Sequence, residues 1–138
     1  MNGTFNLAVH ALVYLSHCNC SLSSEKLAEN ICTNPARVRK IMAGLKKAGM
    51  VETHEGQDGG YRMTGNPEEV TLEQVAEAVE TEFVNCRWHS GNLEKDCRIS
   101  AGFGNAMEEL YGQLNRRCMA YLSEITIRNI EMKLMGQE

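Results

Sequence analysis

The chain has 138 residues, of which 43% are hydrophobic and 23% are charged, and its formal net charge is −4. No apolar run reaches the ~18 residues that a transmembrane helix needs, and the N-terminus lacks the pattern of a signal peptide, which argues against a membrane-spanning or secreted protein. We therefore predict a cytoplasmic protein without a membrane partner, whose six cysteines are thiols or metal ligands rather than disulfides.

The negative charge is unevenly distributed. Residues 1–70 contain seven Lys/Arg and seven Asp/Glu, whereas residues 71–138 contain seven Lys/Arg and eleven Asp/Glu. The second half therefore carries the whole excess, and basic charge is concentrated locally in the first half. This pattern is compatible with modest, salt-sensitive DNA binding by two copies acting together.

Two helices are predicted before the basic region. The first covers residues 4–17, with a buried side made of Phe5, Ala8, Val9, Leu12 and Leu15. We expect His10 to be packed or at an interface, and the Cys18–Cys20 segment to be a turn that contains thiols. The second helix covers residues 24–31 behind a Ser23 cap, and we expect Cys32 to be a small buried side chain in the turn after it.

A third helix is predicted over residues 35–47. Asn34 can cap it and Pro35 suits its first turn, and one apolar stripe follows helical spacing, namely Val38, Ile41, Met42 and Leu45. Residues 33–47 include five basic residues and no acidic one. We expect Gly44, which is costly inside a helix, to allow close approach to another surface. The pattern predicts the recognition helix of a helix-turn-helix motif, ended by a left-handed Gly49.

A glycine-rich hairpin follows, with predicted strands at residues 50–53 and 61–64 and a turn at residues 54–60. Helix, strand, glycine turn and strand is the order of a winged helix-turn-helix, in which the hairpin is the wing. The predicted fold class is mainly α with a small β-hairpin, completed by a long dimerisation helix. The candidate DNA-binding residues are Ser24, Thr33, Asn34, Ala36, Arg37, Arg39, Lys40, Lys47, Gln57, Gly59, Gly60, Tyr61 and Arg62.

The C-terminal half predicts a dimer. A capping box formed by Thr71 and Gln74 begins a fourth helix. A long helix from about residue 98 to residue 122 then carries a heptad-like seam, and the candidate interface residues are Phe103, Met107, Leu110, Leu114 and Tyr121. We expect the last helix, residues 124–135, to be buried between subunits. The predicted division is a DNA-binding domain at 1–80, a sensor loop at 81–97 and a helical dimerisation region at 98–138.

The sensor loop contains Cys86, His89 and Cys97. Cys97 stands at a helix start beside Arg98, where the helix dipole and the cation favour the reactive thiolate. Cys86 could act as its resolving partner if their Cα atoms come within ~6 Å. The alternatives left open are that both cysteines are incidental thiols or that the three residues are weak metal ligands. Cys118 in the long helix is expected to be a packing residue.

These segments resemble the Rrf-two family of bacterial winged-helix regulators, which includes IscR-, NsrR- and CymR-type proteins. The resemblance covers most of the chain and is carried by residues 8–12, 23–29, 33–39, 45–51 and 70–80, and most specifically by the wing sequence Gly56-Gln57-Asp58-Gly59-Gly60-Tyr61. It implies a homodimeric transcription regulator, usually a repressor, that binds an inverted repeat in double-stranded DNA with two wings and two recognition helices.

The chain departs from that pattern in two places. Family wings usually carry a basic residue just before the first glycine, where this chain has Glu55. Cluster-binding members place three closely spaced cysteines in the loop after the fourth helix, where this chain offers only Cys86 and Cys97 beside His89. An iron–sulfur cluster needs about four ligands, so the expectation is no cofactor, with a cluster as the alternative.

The leading hypothesis is thus a DNA-binding repressor whose loop senses redox state, a metal or a small molecule. The acidic second half and Glu55 motivate an alternative, a protein-interaction module that uses the same fold with a partner protein. The sequence lacks a C-x-x-C, an H-E-x-x-H, a phosphate loop and a nucleophile triad, which argues against an enzyme.

Overall fold

Within residues 3–57 and 59–136, which this computed structural model describes, six helices and one antiparallel hairpin follow each other along the chain. The helices and strands are α1 (Thr4–Cys18), α2 (Ser24–Ile31), α3 (Pro35–Lys47), β1 (Val51–His54), β2 (Gly60–Met63), α4 (Leu72–Ala78), α5 (Arg98–Leu122) and α6 (Ile127–Leu134). The predicted winged helix-turn-helix architecture is confirmed. The two strands lie one residue away from their predicted positions, β1 later and β2 earlier.

Local capping explains where these helices begin and end. The Ser23 hydroxyl accepts a hydrogen bond from the Lys26 N–H, and the Asn34 side chain accepts one from the Arg37 N–H at 2.8 Å. Thr71 and Gln74 form both bonds of the predicted capping box. Gly49 follows α3 with a φ of +79°, as predicted for a left-handed residue after a helix.

The core is formed by α1, α2, α3, α4 and one residue of α6, together with Leu22, Met50, Val51 and Val70. The predicted stripe of α3 is buried throughout, and from α1 the core receives Leu7, Ala8, Ala11, Leu12, Val13 and Leu15. Phe5 and Val9, expected on the buried side of α1, are only partly covered at its edge.

The position of α6 differs from the prediction. Ile127 is fully buried in the core of its own chain. The helix α6 packs on α1 of the same chain, whereas the prediction was burial between two subunits. Backbone hydrogen bonds from Leu72 N to Ile125 O and from Ile127 N to Val70 O tie the start of α6 to the residues before α4. The chain after α5 therefore returns to the core.

The helix α5 contributes no buried residue. Residues 81–97, called the strap below, run along it in the opposite direction. Val84 exchanges backbone hydrogen bonds with the Asn115 side chain at 2.8 and 2.7 Å, and the Asn92 N–H donates to the Ser100 carbonyl at 3.0 Å. The strap is an irregular segment with bends and a turn that runs alongside α5, which explains why its sequence lacks helical periodicity.

The base of the wing includes a third chain segment. Leu22 and Tyr61 exchange two backbone hydrogen bonds, so the segment before α2 pairs with β2 on the side away from β1. Gly60 makes this approach feasible. Its φ is +145°, and a Cβ at this position would lie 2.3 Å from the Leu22 carbonyl oxygen.

We expect Gly60→Ala to destabilise the protein by about 2 kcal/mol or more, because the backbone of Leu22 must move and a left-handed φ is strained for alanine. Thermal unfolding measures the loss. Gly56→Ala is the matched control, since Gly56 also has a positive φ but a Cβ there meets no atom within 4 Å. Equal stability losses in the two variants would show that the contact with Leu22 has no energetic role.

Two expectations about α1 and α2 are corrected, one for the Cys18–Cys20 segment and one for Cys32. Cys18 and Cys20 are joined by a disulfide, because the left-handed Asn19 between them turns the chain and brings their Cα atoms to 5.2 Å. Cys32 is exposed rather than buried, since it is the left-handed cap of α2. His10 is exposed and bonds to the Asn30 side chain at 2.9 Å.

Among the described residues, none of the helices combines the length and the apolar character that crossing a membrane requires.

Candidate nucleic-acid interface

The face of α3 opposite its buried stripe consists of Ala36, Lys40, Ala43 and Lys47, all of them exposed. At 3.6 residues per turn, these four lie within an arc of about 60°, and the helix is about 20 Å long. The ammonium groups of Lys40 and Lys47 form no hydrogen bond or ion pair with any described residue. Two free ammonium groups that alternate with two methyl groups along the helix form a narrow basic ridge, and another surface can approach its backbone closely.

The other cations of α3 lie on its flanks and contact the protein. Arg39 donates to the Ser24 hydroxyl at 3.2 Å and lies 3.8 Å from a Glu25 carboxylate oxygen. Lys46 donates to the Thr53 hydroxyl at 3.1 Å and so connects α3 with the wing. Exposed pairs of this kind are weak, typically about 0–1 kcal/mol, so they orient these cations without withdrawing them from solvent.

The Arg37 side chain points away from the ridge that contains Lys40. A Cβ on Gly3 would lie 2.8 Å from Nη2 of Arg37, so the guanidinium rests against the turn before α1. It lies about 90° around α3 from the middle of the ridge. Arg37 can therefore serve the edge of an interface rather than its centre.

The sequence suggested that Gly44 allows another surface to approach the exposed face of α3. The structure shows a different role for this glycine. Its missing side chain makes room for α4, because a Cβ there would lie 3.1 Å from the Ala78 carbonyl oxygen. The close approach that explains this glycine is thus inside the protein.

The remaining candidate residues of α2 and α3 are mostly engaged locally. The Asn34 side chain caps α3, and the Ser24 hydroxyl contacts both Arg39 and Glu25. Thr33 is half-buried and Ala36 is exposed at the first turn of α3. Lys46 was missed, although it stands in the basic run that identified this helix.

The wing supplies little positive charge. Glu52 is paired in register with Arg62, and its carboxylate contacts the His54 ring at 2.9 Å. Glu55 and Gln57 are exposed at the turn, and Asp58 lies outside the described residues. Among the predicted wing contacts, Gly59 and Gly60 serve the hairpin backbone and Tyr61 packs partly on the core, which leaves Gln57 and Arg62 as exposed side chains.

The predicted sensor residues are not gathered into one site. Cys97 and Asn115 are about 27 Å apart along α5 at a rise of about 1.5 Å per residue. Cys86 lies two residues from Val84, which contacts Asn115, and two residues span at most about 7 Å. Allowing about 8 Å for the Val84–Asn115 contact, the Cα atoms of Cys86 and Cys97 are at least roughly 12 Å apart, too far for a disulfide within one chain.

His89 and Cys86 have other partners. His89 lies 3.4 Å from a Glu108 carboxylate oxygen, and the Cys86 thiol donates to the Trp88 carbonyl at 3.2 Å. No three His, Cys, Asp or Glu side chains of the described residues are placed to hold a metal ion. Cys118 is partly covered on α5.

Cys97 is exposed at the start of α5, and the backbone N–H groups of Ser100 and Ile99 in the first turn lower the pKa of its thiol. The helix terminus thus acts as predicted, whereas Arg98 is not a cause of the shift. A lowered pKa means that more Cys97 is thiolate at any pH below the ordinary thiol value.

We expect iodoacetamide to alkylate Cys97 with a rate that reaches half of its maximum below pH 9, because the thiolate is the nucleophile. Peptide mass spectrometry after timed quenching measures the rate, and Cys86 serves as a matched exposed thiol. In the same experiment without reductant, Cys18 and Cys20 should stay unmodified. A Cys97 rate that follows an ordinary thiol profile would contradict the assignment.

Comparisons with known proteins agree with this geometry. A family model described as "Rrf2: Iron-dependent Transcriptional regulator" matches residues 1–131. The chain is 25% identical to the Bacillus subtilis protein YwnA, named as an HTH-type transcriptional regulator, over 94% of this chain and 96% of YwnA. It is 30% identical to the Bacillus subtilis HTH-type transcriptional regulator NsrR over 77% of this chain and 70% of NsrR.

The structural comparison gives the same result. A crystal structure of a Lactobacillus plantarum protein described as a transcriptional regulator superposes with a TM-score of 0.83 and 25% identity, and the match covers 97% of this chain and 91% of that one. With its exposed basic ridge on α3 and its wing, the chain belongs to the Rrf2 (Rrf-two) family of DNA-binding transcriptional regulators.

Proposed function

We propose that the protein is a homodimeric repressor that binds an inverted-repeat operator with the two α3 helices of the dimer. The observation that carries this proposal is the ridge of Lys40 and Lys47, which have no partner among the described residues. Each ridge fits a major groove, and a two-fold dimer would place the two ridges about 34 Å apart, one turn of DNA. From this function we infer a cytoplasmic location and a regulatory rather than an enzymatic role.

The acidic wing shapes the expected mode of binding. Because Glu52 and Glu55 stand where a wing would approach phosphates, we propose that α3 supplies most of the affinity and the wing little. Fluorescence anisotropy with duplexes selected from a random pool tests the proposal. We expect the protein to select an inverted repeat. Its affinity for that duplex should fall steeply between about 50 and about 200 mM salt. Failure to enrich any repeat would contradict it.

A dimer is proposed on the apolar seam of α5, formed by Phe103, Met107, Leu110, Leu114 and Tyr121. In the single chain, four of these five side chains are exposed, from 40% for Leu114 to 65% for Tyr121. A continuous apolar stripe on a helix that the chain itself does not cover is typical of an interface.

We propose Cys97 as the redox-responsive residue. Its thiolate can attack a low-molecular-weight disulfide, so that a mixed disulfide forms on Cys97 and one thiol leaves. Oxidised glutathione should then change DNA affinity in the wild type and in Cys86→Ser but not in Cys97→Ser. A response that persists in Cys97→Ser would overturn this assignment.

The family model's description names iron, and the strap would be the place for an iron–sulfur cluster. Cys86 and Cys97 are at least roughly 12 Å apart, and His89 faces Glu108. The donors of one chain therefore do not fit such a cluster, and we propose no cluster-dependent step.

A further inference from the structure

A polar cavity of about 350 Å³ lies between the end of α1, the base of the wing and the start of α6. Its wall includes Ser16, Asn19, Arg62 and Arg128, together with Leu15, Cys20, Met63, Gly65 and Pro67. No acidic residue is part of this wall. It is separate from the ridge of α3 and from the strap, and neither of the proposed activities uses it.

Two arginines line this cavity. The guanidinium of Arg62, on β2, forms no hydrogen bond or ion pair with any described residue. Arg128, in the first turn of α6, forms an ion pair with Glu131 through Nη1, and Glu131 also lies 3.6 Å from His17. One positive charge is thus balanced and the other is free, which leaves the cavity with an excess of positive charge.

Two polar atoms of the wall are buried without a partner. The Ser16 hydroxyl and Nε of Arg128 are the side-chain polar atoms of the described residues that are inaccessible to solvent and form no hydrogen bond. Leaving such groups unpaired costs roughly 1–3 kcal/mol each. Both can donate a hydrogen bond, and Nε of Arg128 can do nothing else. The missing partner is therefore an acceptor.

We propose that this cavity binds a small anion through carboxylate or phosphate oxygens. The oxygens would accept hydrogen bonds from Nε of Arg128 and from Ser16, and their charge would be balanced by Arg62. Because the cavity joins the wing to α6, the bound anion would couple the DNA-binding domain to the chain that returns from α5. This regulatory consequence rests on the proposed function, whereas the binding itself does not.

Isothermal titration without DNA tests the binding, with inorganic phosphate and malonate as the two probes in a chloride buffer of constant ionic strength. One saturable site per chain is expected for at least one probe. Arg62→Gln should weaken the affinity about tenfold or more, and Ser16→Ala about fivefold or more, because each removes one charge-assisted contact. Arg87→Gln, an exposed arginine of the strap, is the matched control and should bind as the wild type does.

Three results would overturn the proposal. They are the absence of saturable binding for both probes, equal affinity in the wild type and both cavity variants, and an equal loss in Arg87→Gln. Circular dichroism verifies folding, and Ser16→Ala should be at least as stable as the wild type because it removes an unpartnered hydroxyl.

The oxygens could instead belong to a DNA phosphate. If the ligand is a small anion, the Ser16→Ala variant should bind operator DNA with the affinity of the wild type in a buffer free of phosphate and carboxylates. Weakened DNA binding by Ser16→Ala would assign the cavity to the DNA backbone and contradict the small-anion proposal.

Discussion

Replacing Lys40 and Lys47 together with alanine is expected to weaken operator binding at least about 100-fold, because a lost base contact costs roughly 1–3 kcal/mol and each dimer loses four lysines. The structure gives the reason for choosing this pair. Both ammonium groups are free on the exposed centre of α3, whereas Arg39 and Lys46 already contact Ser24 and Thr53. The fold should be unaffected, since neither side chain contributes to the core.

Fluorescence anisotropy at several salt concentrations measures this effect and its origin. If the lysines contact phosphates, the slope of log affinity against log salt should decrease by about 0.9 for each lost contact. The double substitution Lys95→Ala and Lys133→Ala removes the same charge from exposed positions outside α3 and is the matched control. If the control substitutions weakened operator affinity as much as the α3 substitutions do, binding would depend on net charge alone.

Arg37→Ala is expected to have a smaller effect than either lysine substitution. Its guanidinium rests against the turn at Gly3, to the side of the ridge. These cations could not be ranked from the sequence, because all of them lie within one basic run.

Replacing Leu110 and Leu114 with glutamate is expected to convert the proposed dimer into a folded monomer. In the single chain these side chains are 48% and 40% exposed and no residue of α5 is buried, so the substitutions spare the core. In a dimer they would place four unpaired carboxylates in an apolar seam, and burying an unpaired charge costs several kcal/mol. Trp88, Leu93 and Ile99 extend the apolar surface around the strap and are each about three-quarters exposed.

Light scattering during size-exclusion chromatography measures the assembly. The wild type should have twice the chain mass of 15.4 kDa, and the variant the mass of one chain. Arg116→Glu changes the charge by the same amount on a different face of α5 and should remain a dimer. A wild type that is monomeric at micromolar concentration, or a variant that remains dimeric, would exclude the seam. DNA affinity should fall with dimer loss, because two half-sites would no longer bind as a unit.

The secondary structure was predictable because its signals are local. Ser23, Asn34 and Thr71 cap helices through residues three positions away, and the stripe of α3 follows from helical spacing alone. The same locality explains why the basic ridge could be identified before its contacts were known. The sequence was a poorer guide to which distant part of the chain covers a given apolar face. The apolar residues of α6 predicted burial between subunits, whereas Ile127 is buried within its own chain, α6 packs on α1 and Leu134 is 67% exposed.

The sequence by itself determined that α3 has an apolar and a basic face, that a glycine hairpin follows it and that α5 is a long helix with an apolar seam. Each of these depends on residues within a few positions of one another. Only the tertiary structure decided that Gly44 makes room for α4, that the strap holds Cys86 and Cys97 apart, and that Arg62 and Arg128 share a cavity. These features join residues far apart in the chain, and their positions depend on how the helices pack rather than on which residues favour a helix or strand.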